Sequence, residues 1–135
     1  LHGDGKAQRD WLYVEILARQ DKAVSCELSK IKGEVINIGT GRSIDILTIA
    51  DIIVEKMSKP KSLITHIGDR PGQVFRHTSS TEKAQKLLGW TPKTKFEDGL
   101  DKTIDWYKNN REWWESRLWM RRVPIMTKNG RIEYH

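Results

Sequence analysis

Residues 33–57 read GEVINIGTGRSIDILTIADIIVEKM, and this stretch decides the fold class. Glu34 to Gly39 reads as a short strand carrying Val35, Ile36 and Ile38, and Thr40-Gly41-Arg42 as the loop at its end. Asp45 stands where a helix N-cap belongs, and Ile49, Ile52, Ile53 and Met57 form the apolar stripe of the helix it would start. Pro60 closes that helix. Strand, glycine loop and capped helix in that order define a mixed α/β chain.

Outward from this stretch, helices dominate and strands stay short. Gly3-Asp4-Gly5 reads as a tight turn, and Trp11 to Val14 as a short aromatic strand. A helix follows from Glu15, with Leu17, Val24 and Leu28 on one face and Gly33 at its end. Downstream, Leu63 to Ile67 suggests another strand, and Gly68 to Gly72 a loop. Ser79 with Glu82 forms a candidate capping box before a helix through Leu87 and Leu88, stopped by Gly89. Thr94 with Glu97 repeats the box before the stripe Phe96, Leu100, Ile104 and Tyr107. At the end, Trp113, Trp114 and Trp119 crowd together, and Ile125 to Tyr134 has the pattern of a hairpin around Asn129-Gly130.

The chain has 135 residues, enough for one sizeable core, with 37% hydrophobic and 31% charged residues and six Trp. That composition excludes a fully disordered or collagen-like chain. No apolar run approaches the ~18–20 residues of a membrane span. Cys26 is the only cysteine, so neither an internal disulfide nor a cysteine-based zinc site is available. The opening residues carry no apolar targeting segment, and the expected setting is cytoplasmic. Leu1 stands where an initiating Met would, which reads as part of a larger protein. Net charge is +6, which points to an anionic partner. The charge is dispersed except at the C-terminal end, where Arg117, Arg121, Arg122, Lys128 and Arg131 face a single acid, Glu133. This argues against nucleic acid and for a small phosphorylated ligand.

Candidate chemistry narrows quickly. His2, His66, His77 and His135 are scattered, with no metal-ligand spacing among them. Cys26 lies within a helical pattern as a small apolar thiol, and no Tyr is followed four residues later by Lys. No catalytic residue is therefore assigned. Gly39-Thr40-Gly41-Arg42 follows a strand but lacks both the three-glycine dinucleotide spacing and the Walker ending. A structural turn is the better reading, with Thr40 and Arg42 as candidate rim residues. Arg9, Arg70 and Arg76 carry more. A guanidinium bonds phosphate oxygens bidentately, and the Pro71-Gly72 loop would hold Arg70 at low entropic cost. Asp10 and Asp69 each adjoin an arginine, so a diphosphate clamp and a pair of structural ion pairs both remain open.

Four segments carry a resemblance: GDGKAQRDWLYVE (3–15), GEVINIGTGRSI (33–44), GDRPGQVFRHTSSTEKAQKLLGWTPKTKFEDGL (68–100) and DKTIDWY (101–107). In that order they resemble the C-terminal part of the NAD-dependent sugar-nucleotide epimerase/dehydratase family, the extended short-chain dehydrogenase/reductases. The family includes dTDP-glucose 4,6-dehydratases, UDP-glucose 4-epimerases and UDP-glucuronate decarboxylases. The resemblance implies that Arg9 and Arg70 contact the diphosphate region of a nucleotide sugar, with Arg76, Thr40 and Arg42 at the rim. It implies that Asn37 is structural and that Trp90 packs behind the site. Departures fall at Ile16, Val74 and His77, where the family more often carries acid, Asp and Tyr.

The resemblance also implies a division of labour. Family members hold NAD on an N-terminal Rossmann portion with a glycine fingerprint and a Tyr-x-x-x-Lys pair, none of which occurs in this sequence. The expected chain is thus the nucleotide-sugar-binding portion alone, binding no cofactor by itself, catalytically inactive, and prone to self-association where the missing portion would pack. Residues 1–112 would form that portion and 113–135 a basic, Trp-rich extension with the hairpin. The alternative is a non-enzymatic interaction or structural domain of the same ancestry, binding a protein or polyanion through its basic tail.

Overall fold

The computed structural model describes residues 1–15, 28–69, 71–121, 124–126 and 132–134. The chain is mixed α/β and helix-dominated. It divides into two compact units, Leu1–Asp101 and Lys102–His135.

The first unit is organised on a three-stranded sheet in the order β2-β1-β3. Strand β1 is Gln8–Asp10, β2 is Ser43–Asp45 and β3 is Arg76–His77. β1 and β2 are antiparallel, with Arg9 opposite Ile44, and β1 and β3 are parallel, with Gln8 opposite Arg76. The short helix α1 spans Leu28–Ile31, and Gly33 beyond it takes a left-handed φ of 82°. The remainder of the helix expected from Glu15 lies outside the described residues.

Helix α2, Ile46–Lys56, begins as its sequence requires: the Asp45 carboxylate accepts from the Thr48 amide at 2.8 Å and from its hydroxyl at 2.7 Å. Ile49 is its buried residue. A 3-10 turn over Lys61–Leu63 follows Pro60, where a strand over 63–67 was expected. Only Ile67 makes a strand-like contact there, an isolated bridge to His2.

Two further strand expectations are corrected. Trp11 to Val14 does not pair: the ladder occupies Gln8–Asp10, and Trp11 and Val14 remain exposed. Trp11 Nε1 donates to the Ile44 carbonyl at 3.1 Å, while Leu12 and Tyr13 pack on the core. Glu34 to Gly39 belongs to no ladder among the described residues. Its alternation is nonetheless real, since Ile36 and Ile38 pack inward and Val35 is 80% exposed.

Helix α3, Glu82–Leu88, supplies the centre of that core, with Ala84 fully buried and Trp90 nearly so. The expected capping box is not formed. Thr81 rather than Ser79 occupies the N-cap, without a side-chain bond, and the amide of Ser79 donates to Asp10. Gly89 ends the helix with φ 61°, its amide bonded to Gln85 and that of Trp90 to Ala84. Helix α4, Phe96–Asn109, is joined to α2 by a Lys56–Asp101 ion pair at 2.6 Å.

The second unit contains the C-terminal part of α4, helix α5 (Arg111–Glu115), a 3-10 turn over Leu118–Arg121, and the antiparallel pair β4 (Pro124–Met126) and β5 (Ile132–Tyr134). The hairpin expected from the sequence is present as that pair, with Ile125 opposite Glu133; its Asn129-Gly130 turn lies outside the described residues. Among the described residues only Ile49, Ala84, Trp90 and Ile104 are buried hydrophobics. No helix among them is long and apolar enough to cross a membrane.

Candidate functional site

The end of β1 is where the unit's loops converge. Asp10 closes the strand, and its carboxylate is the acceptor on which two distant segments meet. The Thr40 amide donates to Oδ1 at 2.9 Å and to Oδ2 at 3.1 Å, and the Thr40 hydroxyl donates to Oδ1 at 2.5 Å. The Gly41 amide reaches Oδ2 at 3.0 Å and the Ser79 amide reaches it at 3.2 Å. Partial burial alone would raise the Asp10 pKa. The Thr40 hydroxyl, with the amides of Thr40, Ser79 and Gly41, outweighs it and holds the carboxyl below the ordinary carboxylate value. The group therefore stays ionised at neutral pH.

Beside Asp10 lies a cleft of about 590 Å³, lined by Arg9, Asp10, Asn37, Arg76, His77 and the hydroxyl-bearing run Thr78 to Ser80. Arg9 sits at the middle of β1, and its Nη1 donates to the Gln8 carbonyl at 2.6 Å and the Phe75 carbonyl at 3.4 Å. Arg76 reaches the cleft from β3, where its Nε donates to Gln8 Oε1 at 2.6 Å. Neither contact uses up a guanidinium, which carries five N–H donors. Asp10 is satisfied by loop amides rather than by Arg9, and Arg9, Arg76 and a row of hydroxyl-bearing residues line the same polar cleft, Arg76 sharing its sheet face with Gln8 and Arg9 the opposite face with His77. That composition suits an anion carrying several oxygens.

Of the residues singled out in the sequence, Arg9 and Arg76 are brought together. Thr40 is engaged with Asp10 and does not line the cleft, and Arg42 is exposed on the loop beyond it. Arg70 lies outside the described residues. Its neighbours Asp69, Pro71 and Gly72 border a separate cleft of about 410 Å³ with His2 and Asp4. His66 Nδ1 lies 2.8 Å from the Gly3 carbonyl and His2 Nδ1 lies 3.2 Å from that of Gly68, whereas His77 belongs to β3 and lines the cleft, and His135 lies outside the described residues. Among the described residues no three His, Cys, Asp or Glu side chains gather as a metal site.

Sequence reasoning missed the roles of Gln8 and Asp10 and the place of Asn37 in the cleft wall. Asp10 invited an ion pair with its neighbour Arg9, whereas its partners stand 30, 31 and 69 residues away. The usable signal was the pairing of a strand-end, half-buried Asp with a Thr-Gly turn whose amides need an acceptor.

The family model of GDP-mannose 4,6 dehydratase matches residues 1–103. The chain is 36% identical over 115 residues to dTDP-glucose 4,6-dehydratase of Streptomyces niveus, covering 85% of this chain and 34% of that protein. It is 42% identical over 120 residues to dTDP-glucose 4,6-dehydratase 1 of Escherichia coli K12, covering 84% and 33%. Among solved structures, dTDP-glucose 4,6-dehydratase from Bacillus anthracis in complex with NAD superposes with a TM-score of 0.74 at 35% identity, over 86% of this chain and 36% of that one. DesIV, the dTDP-glucose 4,6-dehydratase of Streptomyces venezuelae with NAD and TYD bound, gives 0.77 at 31% identity, over 86% and 35%. This chain spans about a third of the length of the curated relatives it matches. With its sheet, its glycine loop and its arginine-lined cleft all within the matched residues, the chain belongs to the GDP-mannose 4,6 dehydratase family, among the NAD-dependent sugar-nucleotide epimerases and dehydratases.

Proposed function

We propose that this chain is the nucleotide-sugar-binding, C-terminal portion of such an enzyme, and that the cleft beside β1 takes the diphosphate. The observation that carries this reading is a polar cleft of about 590 Å³ whose lining includes Arg9 of β1 and Arg76 of β3 together with Asn37 and the hydroxyls of Thr78 to Ser80. Bidentate guanidinium bonds would hold the phosphate oxygens, and Asn37 with Ser79 and Ser80 would meet neighbouring hydroxyl or carbonyl groups. Arg70, whose role rests on the family resemblance alone, would supply the second clamp from its Pro-Gly loop.

The residues of this chain do not fit a dinucleotide. The amides of Thr40 and Gly41, which stand where a phosphate loop might be sought, serve the Asp10 carboxylate. The NAD used by the family is therefore assigned to the rest of a longer parent, and no hydride or proton step is derived on these residues. Alone, the chain would bind a nucleoside-diphosphate sugar weakly and would not turn it over. The cytoplasmic setting belongs to the same proposal.

Self-association is part of it as well. The extended segment around Val35 pairs with no strand among the described residues and exposes an apolar side chain, an arrangement that invites a second copy or the missing portion to pair there. A monodisperse monomer in light scattering would remove this element.

The test is an amide NMR titration of the chain with dTDP-, UDP- and GDP-glucose in turn, repeated on Arg9→Ala, Arg70→Ala and Arg76→Ala. Saturable shifts at the cleft residues, lost in the arginine variants, are expected. Dispersed resonances that never move with any of the three would sink the reading.

A further inference from the structure

We propose that Asp10 is a positioning residue: its carboxylate fills an anion-binding nest formed by the backbone N–H groups of Thr40, Gly41 and Ser79, and filling that nest sets the shape of the neighbouring arginine cleft. The proposal rests on the diphosphate reading of the cleft for its second half only.

The nest is visible in the donors. Three amides from two loops, at Thr40, Gly41 and Ser79, aim at one pair of oxygens within 2.9–3.2 Å. Converging backbone N–H groups are how proteins bind phosphate and carboxylate, and here the anion is a side chain of the same protein. Gly39 shows how tightly the loops close. A Cβ there would stand 2.5 Å from Ser79 Cβ and 2.6 Å from Asp10 Oδ2, so only glycine admits the approach.

The consequence for the cleft follows from chain connectivity. Asp10 is next to Arg9, and Ser79 lies three residues beyond Arg76 in the same wall. A carboxylate that ties the Ser79 amide to the end of β1 fixes the spacing of the two strands that present the guanidiniums. It also supplies a negative charge whose field is spent on amides, leaving the arginines for a ligand. Removing it leaves the part-buried amides of Thr40 and Ser79 and the exposed amide of Gly41 without that acceptor, and these would recruit water or an external anion or would let the 78–80 segment drift.

Asp10→Ala and Asp10→Asn test this in the full chain. In Asp10→Ala, formate should shift the amide resonances of Thr40, Gly41 and Ser79 saturably, while the same formate leaves those of the wild type in place. The affinity for dTDP-glucose should fall about tenfold in Asp10→Ala and recover as formate is added, a rescue that general loss of packing does not produce. Absence of formate shifts in a folded Asp10→Ala would overturn the nest. Undiminished dTDP-glucose binding would overturn the positioning role. If Asp10→Ala does not fold, Asp10→Asn carries the test, because it keeps one oxygen acceptor and loses the charge. Its Gly41 and Ser79 amides should then exchange with solvent faster than in the wild type while those of α2 do not, and unchanged exchange would overturn the nest. If wild type binds none of the sugars, the diphosphate reading fails, and the formate and exchange results still decide the nest.

Discussion

Gln8 and Arg76 face each other across the parallel step of the sheet, and the Arg76 Nε donates to Gln8 Oε1 at 2.6 Å. The same oxygen accepts from the Ser43 hydroxyl at 3.2 Å. One neutral amide on the central strand thus bridges both outer strands and points a cation along the cleft wall. The arginines would otherwise have long, freely rotating side chains, and the cost of ordering them would fall on the ligand.

Gln8→Ala removes that acceptor from both neighbours. Arg76 is exposed, so its guanidinium returns to water at little cost, and the expected loss of stability is about 1 kcal/mol by urea denaturation. Gln8→Glu separates orientation from charge. The carboxylate keeps Arg76 in place and preserves stability, yet pairs with the guanidinium and offsets the positive charge that Arg76 brings to the cleft lining. A Gln8→Glu variant that bound dTDP-glucose as well as the wild type would count against the cleft as the diphosphate site.

Gly39→Ala forces a methyl group against Ser79 Cβ at 2.5 Å and Asp10 Oδ2 at 2.6 Å. Neither can retreat without breaking hydrogen bonds, so a destabilisation of about 1–3 kcal/mol is expected. Gly68→Ala is the control, since nothing lies within 4 Å of the added carbon. Its melting midpoint should match the wild type, and equal losses in the two variants would refute the close packing at Gly39.

The elements that local chemistry specifies were legible in the sequence. Asp45 caps α2 and Gly89 stops α3 because each acts on backbone groups a few residues away. The β4–β5 pair was legible from two short runs flanking Asn129-Gly130 in the sequence. The strands were harder, because a ladder needs a partner that propensity does not reveal. Trp11 to Val14 has the composition of a strand, but only Leu12 and Tyr13 pack on the core and none of it joins the ladder, and Glu34 to Gly39 has the alternation without a ladder partner among the described residues. Within the site, the arginines were legible as residue types suited to phosphate. Asp10 was not, because its role depends on two distant loops meeting at the end of β1 and no sequence spacing encodes that meeting.

Acid should weaken the first unit in a defined direction. The Thr48 amide, then its hydroxyl, hold the Asp45 pKa below the ordinary 3.8, against a smaller opposing effect of burial. Asp10 is lowered as well. A carboxylate with a depressed folded-state pKa contributes stability that is fully present above 3.8 and is lost as pH falls through the lower folded value. The urea midpoint should therefore hold steady at neutral pH and drop below about pH 4. Asp45→Asn retains a cap acceptor, so it should cost little at pH 7 and make the acid slope shallower; Asp45→Ala should cost about 1 kcal/mol at pH 7. An Asp45→Asn protein with the wild-type acid slope would show that the cap does not titrate as described.

The second unit offers a test of how an exposed aromatic cluster earns its place. Helix α4 ends with carbonyls that no later turn of the helix can satisfy. The Asn110 side-chain amide donates to the Trp106 carbonyl at 2.8 Å, and Trp114 Nε1 donates to the Tyr107 carbonyl at 2.8 Å. Trp106 and Trp113 meet edge to face with ring centroids 5.2 Å apart, and the Arg117 guanidinium lies 4.1 Å from the Trp113 ring centre. Trp114 is thus tied to α4 by a directional bond as well as by ring area. Trp114→Phe keeps most of that area and removes only the N–H, so a loss of about 1 kcal/mol is expected, with faster amide exchange in the last turn of α4. Trp119, 71% exposed, should tolerate the same change within about 0.5 kcal/mol. Equal losses at Trp114 and Trp119 would mean that ring area alone holds the cluster, and that the cap on the Tyr107 carbonyl contributes nothing to it.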